Sequence, residues 1–229
     1  MIDLVEAAEN ANTYTPLGPS DERDDQGRYV LWMGRGDEPN WNVAQRFRLG
    51  DDDVDEVRSE IHARLRSKGR TGCTWEVGTH ATPDDLVDQL LARGLVDDAT
   101  PLAVGMVLTD APAGASVAFG LPEPAAAPEE AEDRDNVHYL ALIDGEPVAR
   151  ATASFSPYGA TLFGGATLPE ARGRGTYRAL VAARWEEAVR RGTPALGTQA
   201  GPMSRPILAR LGFHEVCEIR ILLDAFDRQ

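Results

Sequence analysis

The feature that most restricts the fold of this chain is a change of hydrophobic period across one glycine-rich turn. Residues 160–191 read ATLFGGATLPEARGRGTYRALVAARWEEAVRR. A β-rich run from Ala160 to Leu168 stops at Pro169, and Glu170–Arg172 form a turn. Gly173, Arg174 and Gly175 then open a helix. Its apolar stripe is Tyr177, Leu180, Val181, Trp185, Ala188 and Val189, at i, i+3, i+4, i+8, i+11 and i+12.

A glycine turn that feeds a helix N-terminus leaves several backbone N–H groups unpaired at the positive end of the helix dipole, which suits a phosphate. Glycine lets such a group approach with no Cβ in the way. Two further details favour this over a plain tight turn. Gly164 and Gly165 lie inside the preceding strand, where glycine marks a bulge or a close backbone approach. Arg172, Arg174 and Arg178 crowd the helix start, where cations are unfavourable unless an anion arrives. Glu170 borders the turn as a candidate cap.

The pattern resembles the Gcn5-related N-acetyltransferase family, whose pyrophosphate loop is written Arg/Gln-x-x-Gly-x-Gly/Ala. Here Arg172-Gly173-Arg174-Gly175-Thr176-Tyr177 matches except at the last position, where Tyr177 replaces a small residue. The strand, helix and strand that follow in the family are matched by Ala195–Gln199, Ser204–Leu211 and Phe213–Leu223. The joint Ala209-Arg210-Leu211-Gly212-Phe213 resembles the family's usual helix end. The likeness spans His138 to Leu223. It implies acetyl-CoA as cofactor, with the backbone of Gly165, Ala166 and Thr167 beside the pantetheine arm. It further implies that Gly173, Arg174, Gly175, Thr176, Tyr177 and Arg178 hold the pyrophosphate. The family often places a tyrosine four residues before the joint's glycine to protonate the leaving thiolate. That position is Leu208, which cannot do so, and no catalytic residue is assigned.

Upstream, residues 1–27 are polar, with turns at Pro16, Gly18 and Pro19 and an acidic run Asp21–Asp25, and are expected to have little order. Tyr29–Met33 and Asn42–Leu49 read as strands. Asp53 stands as N-cap with Glu56 three residues on, ahead of Val57, Ile61 and Leu65 on one helical face. Cys73–Val77 reads as a strand, Thr82-Pro83-Asp84-Asp85 as a helix start, Leu86, Leu90 and Leu91 as that helix's apolar face, Gly94 as its stop, and Leu102–Leu108 as a strand.

This helix–strand–helix–strand order recurs. Val54–Lys68, Cys73–Val77, Pro83–Arg93 and Leu102–Leu108 run parallel to Arg174–Arg191, Ala195–Gln199, Ser204–Leu211 and Phe213–Leu223. Leu90-Leu91-Ala92-Arg93-Gly94-Leu95 even aligns with Ile207–Phe213, with one insertion. Duplication of a domain fits a long two-copy repeat, against chance likeness of two helix–strand units. The first copy is degenerate. Three acids, Asp51–Asp53, stand at its helix start in place of glycines, and carboxylates there would repel a diphosphate.

The expected architecture is therefore an α/β mixed sheet of the acetyltransferase (GNAT-like) type, duplicated. Residues 1–115 form the degenerate half, with a structural or substrate-cleft role, and 116–229 the core that carries the acetyl-CoA loop. Pro112–Asn136 is rich in proline, alanine and acid and reads as a linker, most clearly over 121–136, with a short strand at Ser116–Phe119. His138–Ile143 and Val148–Phe155 flank Asp144-Gly145, a hairpin turn signal. The two helices usual near the start of an acetyltransferase core find no room between linker and hairpin.

Charge narrows the partners. The formal net charge of the 229 residues is −14, which argues against nucleic acid and against an anionic membrane surface. Residues 1–120 hold 22 acidic and 11 basic residues, and residues 121–229 hold 15 and 12. Within 172–220, nine arginines face four glutamates, a local basic field that suits a polyanionic cofactor. The start MIDLVEAAENAN has no basic or apolar leader pattern and no run reaches spanning length, so a cytoplasmic location is expected. Cys73 and Cys217, with no CxxC or Cys/His spacing, read as structural free thiols, and no metal site is expected.

Two functions fit these residues. One is an acetyl-CoA-dependent N-acetyltransferase acting on a small-molecule or peptide amine. The other is a catalytically silent CoA-binding or regulatory module, motivated by Leu208 and Tyr177. A purely structural half-domain leaves the loop glycines unexplained. Ser204, Gln199, Thr198 and Tyr177 are weak substitutes for the missing proton donor, and His62, His80, His138 and His214 show no carboxylate at relay spacing.

Overall fold

Both hydrophobic periods appear where the sequence places them in a computed structural model that describes residues 3–36, 38–113 and 134–226. The elements in chain order are α1 (Leu4–Glu9), α2 (Ala11–Tyr14), β1 (Glu22–Asp25), β2 (Val30–Met33), β3 (Asn42–Gln45), α3 (Val54–Ser67), β4 (Gly72–Gly78) and α4 (Leu86–Ala92). They continue with β5 (Val96–Leu108), β6 (Asn136–Ile143), β7 (Glu146–Ser156), β8 (Gly159–Thr167), α5 (Thr176–Arg190), β9 (Leu196–Ala200), α6 (Arg205–Arg210) and β10 (His214–Ala225). The chain divides into two compact units. One comprises Leu17–Val104 with Cys217–Gln229, the other Met1–Pro16 with Gly105–Val216. The chain crosses between them after Pro16, within β5 and within β10.

In the unit built on Leu17–Val104 the strand order is β1-β2-β3-β4-β10, with β3 parallel to β4 and the other neighbours antiparallel. Helix α3 buries Val57, Ile61 and Leu65 completely, the face the periodicity assigns, and Val54 with them. They join a core in which Phe47 stacks on Trp75, ring centroids 4.9 Å apart. The expected caps are different. Asp53 does occupy the N-cap position of α3, but its carboxylate accepts from the Gly50 N–H at 3.0 Å instead of from the helix. Helix α4 begins at Leu86, not Pro83, because residues 83–85 form a turn and Thr82 donates its hydroxyl to the Leu49 carbonyl.

In the unit built on Gly105–Val216 the strand order is β5-β9-β8-β7-β6. The β6–β7 hairpin closes through Asp144 (φ 53°) and Gly145 (φ 85°), two left-handed residues as in a type I′ turn. Helix α5 packs on these strands through Leu180, Val181, Trp185 and Ala188, but Val189, expected on the stripe, is 49% exposed.

The N-terminal residues overturn the expectation of little order. Helices α1 and α2 belong to this same unit. Gln199 Nε2 on β9 donates to the Glu9 carbonyl at 3.1 Å, and Tyr14 meets Tyr158 edge-on at 6.1 Å. Most of the linker, with the short strand expected at Ser116–Phe119, lies outside the described residues.

Candidate functional site

Strand β8 carries the bulge its glycines announce. Phe163 opposes Thr152 and Ala166 opposes Arg150, so three steps on β8 face two on β7, with Gly164 at φ 59°. On its other edge β8 pairs in parallel with β9 only at Ala160–Leu196 and Thr161–Gly197. The Thr198 hydroxyl then donates to the Leu162 carbonyl at 3.1 Å in place of a ladder bond. Beyond that point β8 runs on to Thr167, with Gly164, Gly165 and Ala166 exposed. The fold thus leaves a short bare strand edge at the bulge.

From there Pro169–Ala171 make one 3-10 turn and the chain swings through Gly173 (φ 75°) and Gly175 (φ 84°) into α5. Gly175 is the N-cap residue, and no side chain caps the helix, Glu170 included. Among the described residues, the amides of Gly173, Gly175, Thr176, Tyr177 and Arg178 have no backbone acceptor. Nor does any carboxylate pair with Arg172, Arg174 or Arg178 among them. Arg172 only reaches the Thr167 carbonyl, at 3.4 Å. An open cleft of about 640 Å³ lies against this loop, between Gly173–Thr176, Arg178 and Ala179 and the hairpin tip Ala141–Asp144. The two segments expected to form the site also meet. A Cβ built on Gly165 would lie 2.9 Å from Tyr177 Cε2.

No family model matches this chain, and no curated protein matches it. Solved structures do. A GCN5-related N-acetyltransferase from Kribbella flavida superposes with a TM-score of 0.64 at 18% identity, over 90% of each chain. A functionally unknown conserved protein from Staphylococcus epidermidis gives 0.66 at 9% identity, over 92% of this chain and 96% of that one. A tandem GNAT protein from the clavulanic acid biosynthesis pathway gives 0.60 at 14% identity, over 96% and 93%. The fold is that of the GCN5-related N-acetyltransferases.

Within this acetyltransferase fold, the large residue at position 177 finds a small partner. The Tyr177 ring fills the place that any side chain at Gly165 would take, so one departure from the loop pattern is offset by the glycine on β8. Behind Tyr177 stands a residue that the sequence reading passed over. Arg184 lies seven residues from Tyr177 and four from Leu180, on the apolar stripe, and is 1% exposed. Its Nε donates to the Leu180 carbonyl at 2.9 Å and its Nη1 to the Thr152 carbonyl at 3.3 Å, while Nη2 has no partner. Burial pulls the guanidinium down to about 10, opposed by the neighbouring phenols of Tyr177 and Tyr139. Burial in turn raises the Tyr177 phenol above its ordinary range, with Arg184 pulling it partly back, and pushes Tyr139 up to about 12. A charged residue at a helical core spacing was the available signal.

Most of the other proton-donor candidates are engaged elsewhere. Leu208 is buried. Ser204 donates to the Gly201 carbonyl and Thr198 to that of Leu162. His138 Nδ1 lies 3.0 Å from the Thr152 hydroxyl. His62 does have a carboxylate partner, unseen at the sequence level: Asp224 Oδ2, at 2.7 Å, within the other unit. Among the described residues no group of His, Cys, Asp and Glu is arranged to hold a metal, and no helix is long and apolar enough to cross a membrane.

Proposed function

We propose that this chain is an acetyl-CoA-dependent N-acetyltransferase whose acceptor is a small-molecule or peptide amine. The observation that carries the reading is the set of unpaired amides at Gly173, Gly175, Thr176, Tyr177 and Arg178, among three arginines that have no carboxylate among the described residues and next to a bulged, half-bare strand. Anions bind at such helix starts through main-chain N–H groups and the helix dipole. In this reading Gly173, Arg174, Gly175, Thr176, Tyr177 and Arg178 hold the diphosphate, and Gly165, Ala166 and Thr167 flank the pantetheine arm. An N–H at the bulge polarises the thioester carbonyl, as oxyanion donors do in acyl transfer. The acceptor attacks as a neutral amine.

Residues 1–115 are, in the same reading, a degenerate copy, and 116–229 the copy that binds the cofactor. Both halves run helix, strand, helix, strand, as α3-β4-α4-β5 and α5-β9-α6-β10. The acidic start of α3 and the tandem character of one structural neighbour support this. Buried, unbridged Cys73 and Cys217 suit a reducing compartment such as the cytoplasm.

The second reading, a silent CoA-binding module, is favoured by Leu208 alone. Titration calorimetry with acetyl-CoA tests the shared premise, and no heat of binding at submillimolar ligand leaves only a structural role. Thiol release across an amine library then separates enzyme from module. Bound acetyl-CoA with no release from any amine selects the module.

A further inference from the structure

A buried cation without a carboxylate is costly, and a protein keeps an unpaired buried group where it serves a function or a ligand. Arg184 is such a cation. Among the described residues no carboxylate forms an ion pair with it, the phenols of Tyr177 and Tyr139 are its ionisable neighbours, and one Nη has no partner. Of those phenols, Tyr177 also reaches the bare strand edge. Its hydroxyl lies 3.7 Å from where a Cβ on Gly165 would be. Tyr177 is part-buried, beside the exposed Gly165. The neighbouring hydroxyl on β7, Thr152 Oγ1, is committed to His138.

We propose that Tyr177 is the proton donor to the leaving thiolate, and that Arg184 is its positioning partner. The proposal rests on the acetyltransferase reading above. As the amine nitrogen bonds to the carbonyl carbon and the C–S bond breaks, the electron pair stays on sulfur. Tyr177 Oη gives its proton to that sulfur. The phenolate left behind faces the Arg184 guanidinium, which holds it without moving. The nitrogen, now carrying an extra proton, releases it to water, and the phenolate regains one from water. One proton has then passed, in net, from amine to thiol. The chain lacks a proton donor at Leu208 and holds one at Tyr177, so two departures from the resemblance have a single explanation.

The decisive variant is Tyr177→Phe, which keeps the ring on Gly165 and the main-chain amide and removes only the hydroxyl. Thiol release from acetyl-CoA is followed with hydroxylamine and an amine library as acceptors, beside calorimetry with acetyl-CoA. We expect affinity and KM for acetyl-CoA within about twofold of the parent and kcat lower by about 100-fold, the ordinary scale for loss of a general acid. Arg184→Met lowers kcat too, and adding it to Tyr177→Phe costs nothing more, because the pair acts as a unit. If Arg184→Met does not fold, Arg184→Lys replaces it, and its partial restoration of kcat marks the charge as the active element.

Full kcat in Tyr177→Phe overturns the proposal and leaves the acetyltransferase reading standing. Additive losses in the double variant overturn the role of Arg184. Parent protein that binds acetyl-CoA but releases no thiol overturns proposal and enzyme reading together, and failure to bind acetyl-CoA removes the premise of both.

Discussion

Helices α3 and α5 each set an arginine against the strands of their own unit, and the two arginines are treated differently. Arg58 on α3 holds Asp224 through two bonds, Nε to Oδ2 at 3.1 Å and Nη2 to Oδ1 at 2.8 Å, and gives its remaining Nη1 to the Arg93 carbonyl. His62, one turn on, takes the same carboxylate. Arg184 on α5 meets only carbonyls and phenols. The helix starts differ in the same sense. At the start of α3 two cations are spoken for: Arg28 by Glu56 and Glu60, Arg93 by Asp55. At the start of α5, Arg172, Arg174 and Arg178 have no carboxylate among the described residues. The start of α3 cancels its charges internally, and the start of α5 leaves positive charge without a counter-charge among the described residues. That difference is what the proposed division into a silent half and a cofactor-binding half requires.

The largest effect that would test this contrast is on stability. Asp224 is 1% exposed, and Asp224→Asn leaves Arg58 without its counter-charge. The expected loss is about 3–5 kcal/mol, the usual cost of removing one partner of a buried pair. Urea denaturation measures it, and a loss below about 1 kcal/mol breaks the claim that Asp224 is the counter-charge on which Arg58 depends.

Next comes the loop. Gly175→Glu puts a Cβ and a negative charge where the diphosphate is expected, and acetyl-CoA affinity should fall by at least about 100-fold by calorimetry. Some stability is lost as well, since a side chain at φ 84° is strained. Unchanged affinity in the folded variant removes the loop from the site.

A smaller, pH-dependent effect follows from Asp224. Burial alone would raise its carboxyl, but hydrogen bonds from His62 and Arg58 outweigh burial and hold it below the ordinary carboxylate range. A depressed pKa contributes stability that is fully present above the unfolded value, about 3.9, and is lost as pH falls through the lower folded value. The difference in stability between parent and Asp224→Asn should therefore be constant above about pH 5 and shrink below about pH 4. A difference that stays flat down to pH 2 shows the carboxylate to be uncoupled from folding.

Arg184→Met sharpens the comparison from the other side. Removing a buried charge that has no counter-ion should change stability by less than about 1 kcal/mol, in either direction. A loss as large as that of Asp224→Asn would mean that Arg184 is a structural cation after all. The smallest effect is at Asp53. Its carboxylate serves the Gly50 amide, so Asp53→Asn should leave acetyl-CoA affinity unchanged.

Much of this was legible before any coordinates. The stripe of α3, the turn at Asp144-Gly145 and the bulge at Gly164-Gly165 each follow from local chemistry: burial period, a left-handed pair, a missing Cβ. The start of α3 at Asp53 is legible, but its carboxylate serves the Gly50 amide and not the helix, while the start expected at Thr82 moves to Leu86, because which donor or acceptor a short side chain meets depends on the neighbouring chain. Arg184 was missed because a stripe is read by its apolar members. A charge within it stands out only when the surrounding strands are known to offer no carboxylate.

By itself the sequence determined where the chain changes period, where it must turn left-handed and where main-chain amides are left over, since these are properties of a few neighbouring residues. Only the tertiary structure decided which charges are cancelled. Arg58 meets Asp224 across 166 residues of chain, and α1 and α2 join a unit whose remaining residues begin at Gly105. Partners brought together by folding depend on the paths of distant strands, and no local pattern encodes them.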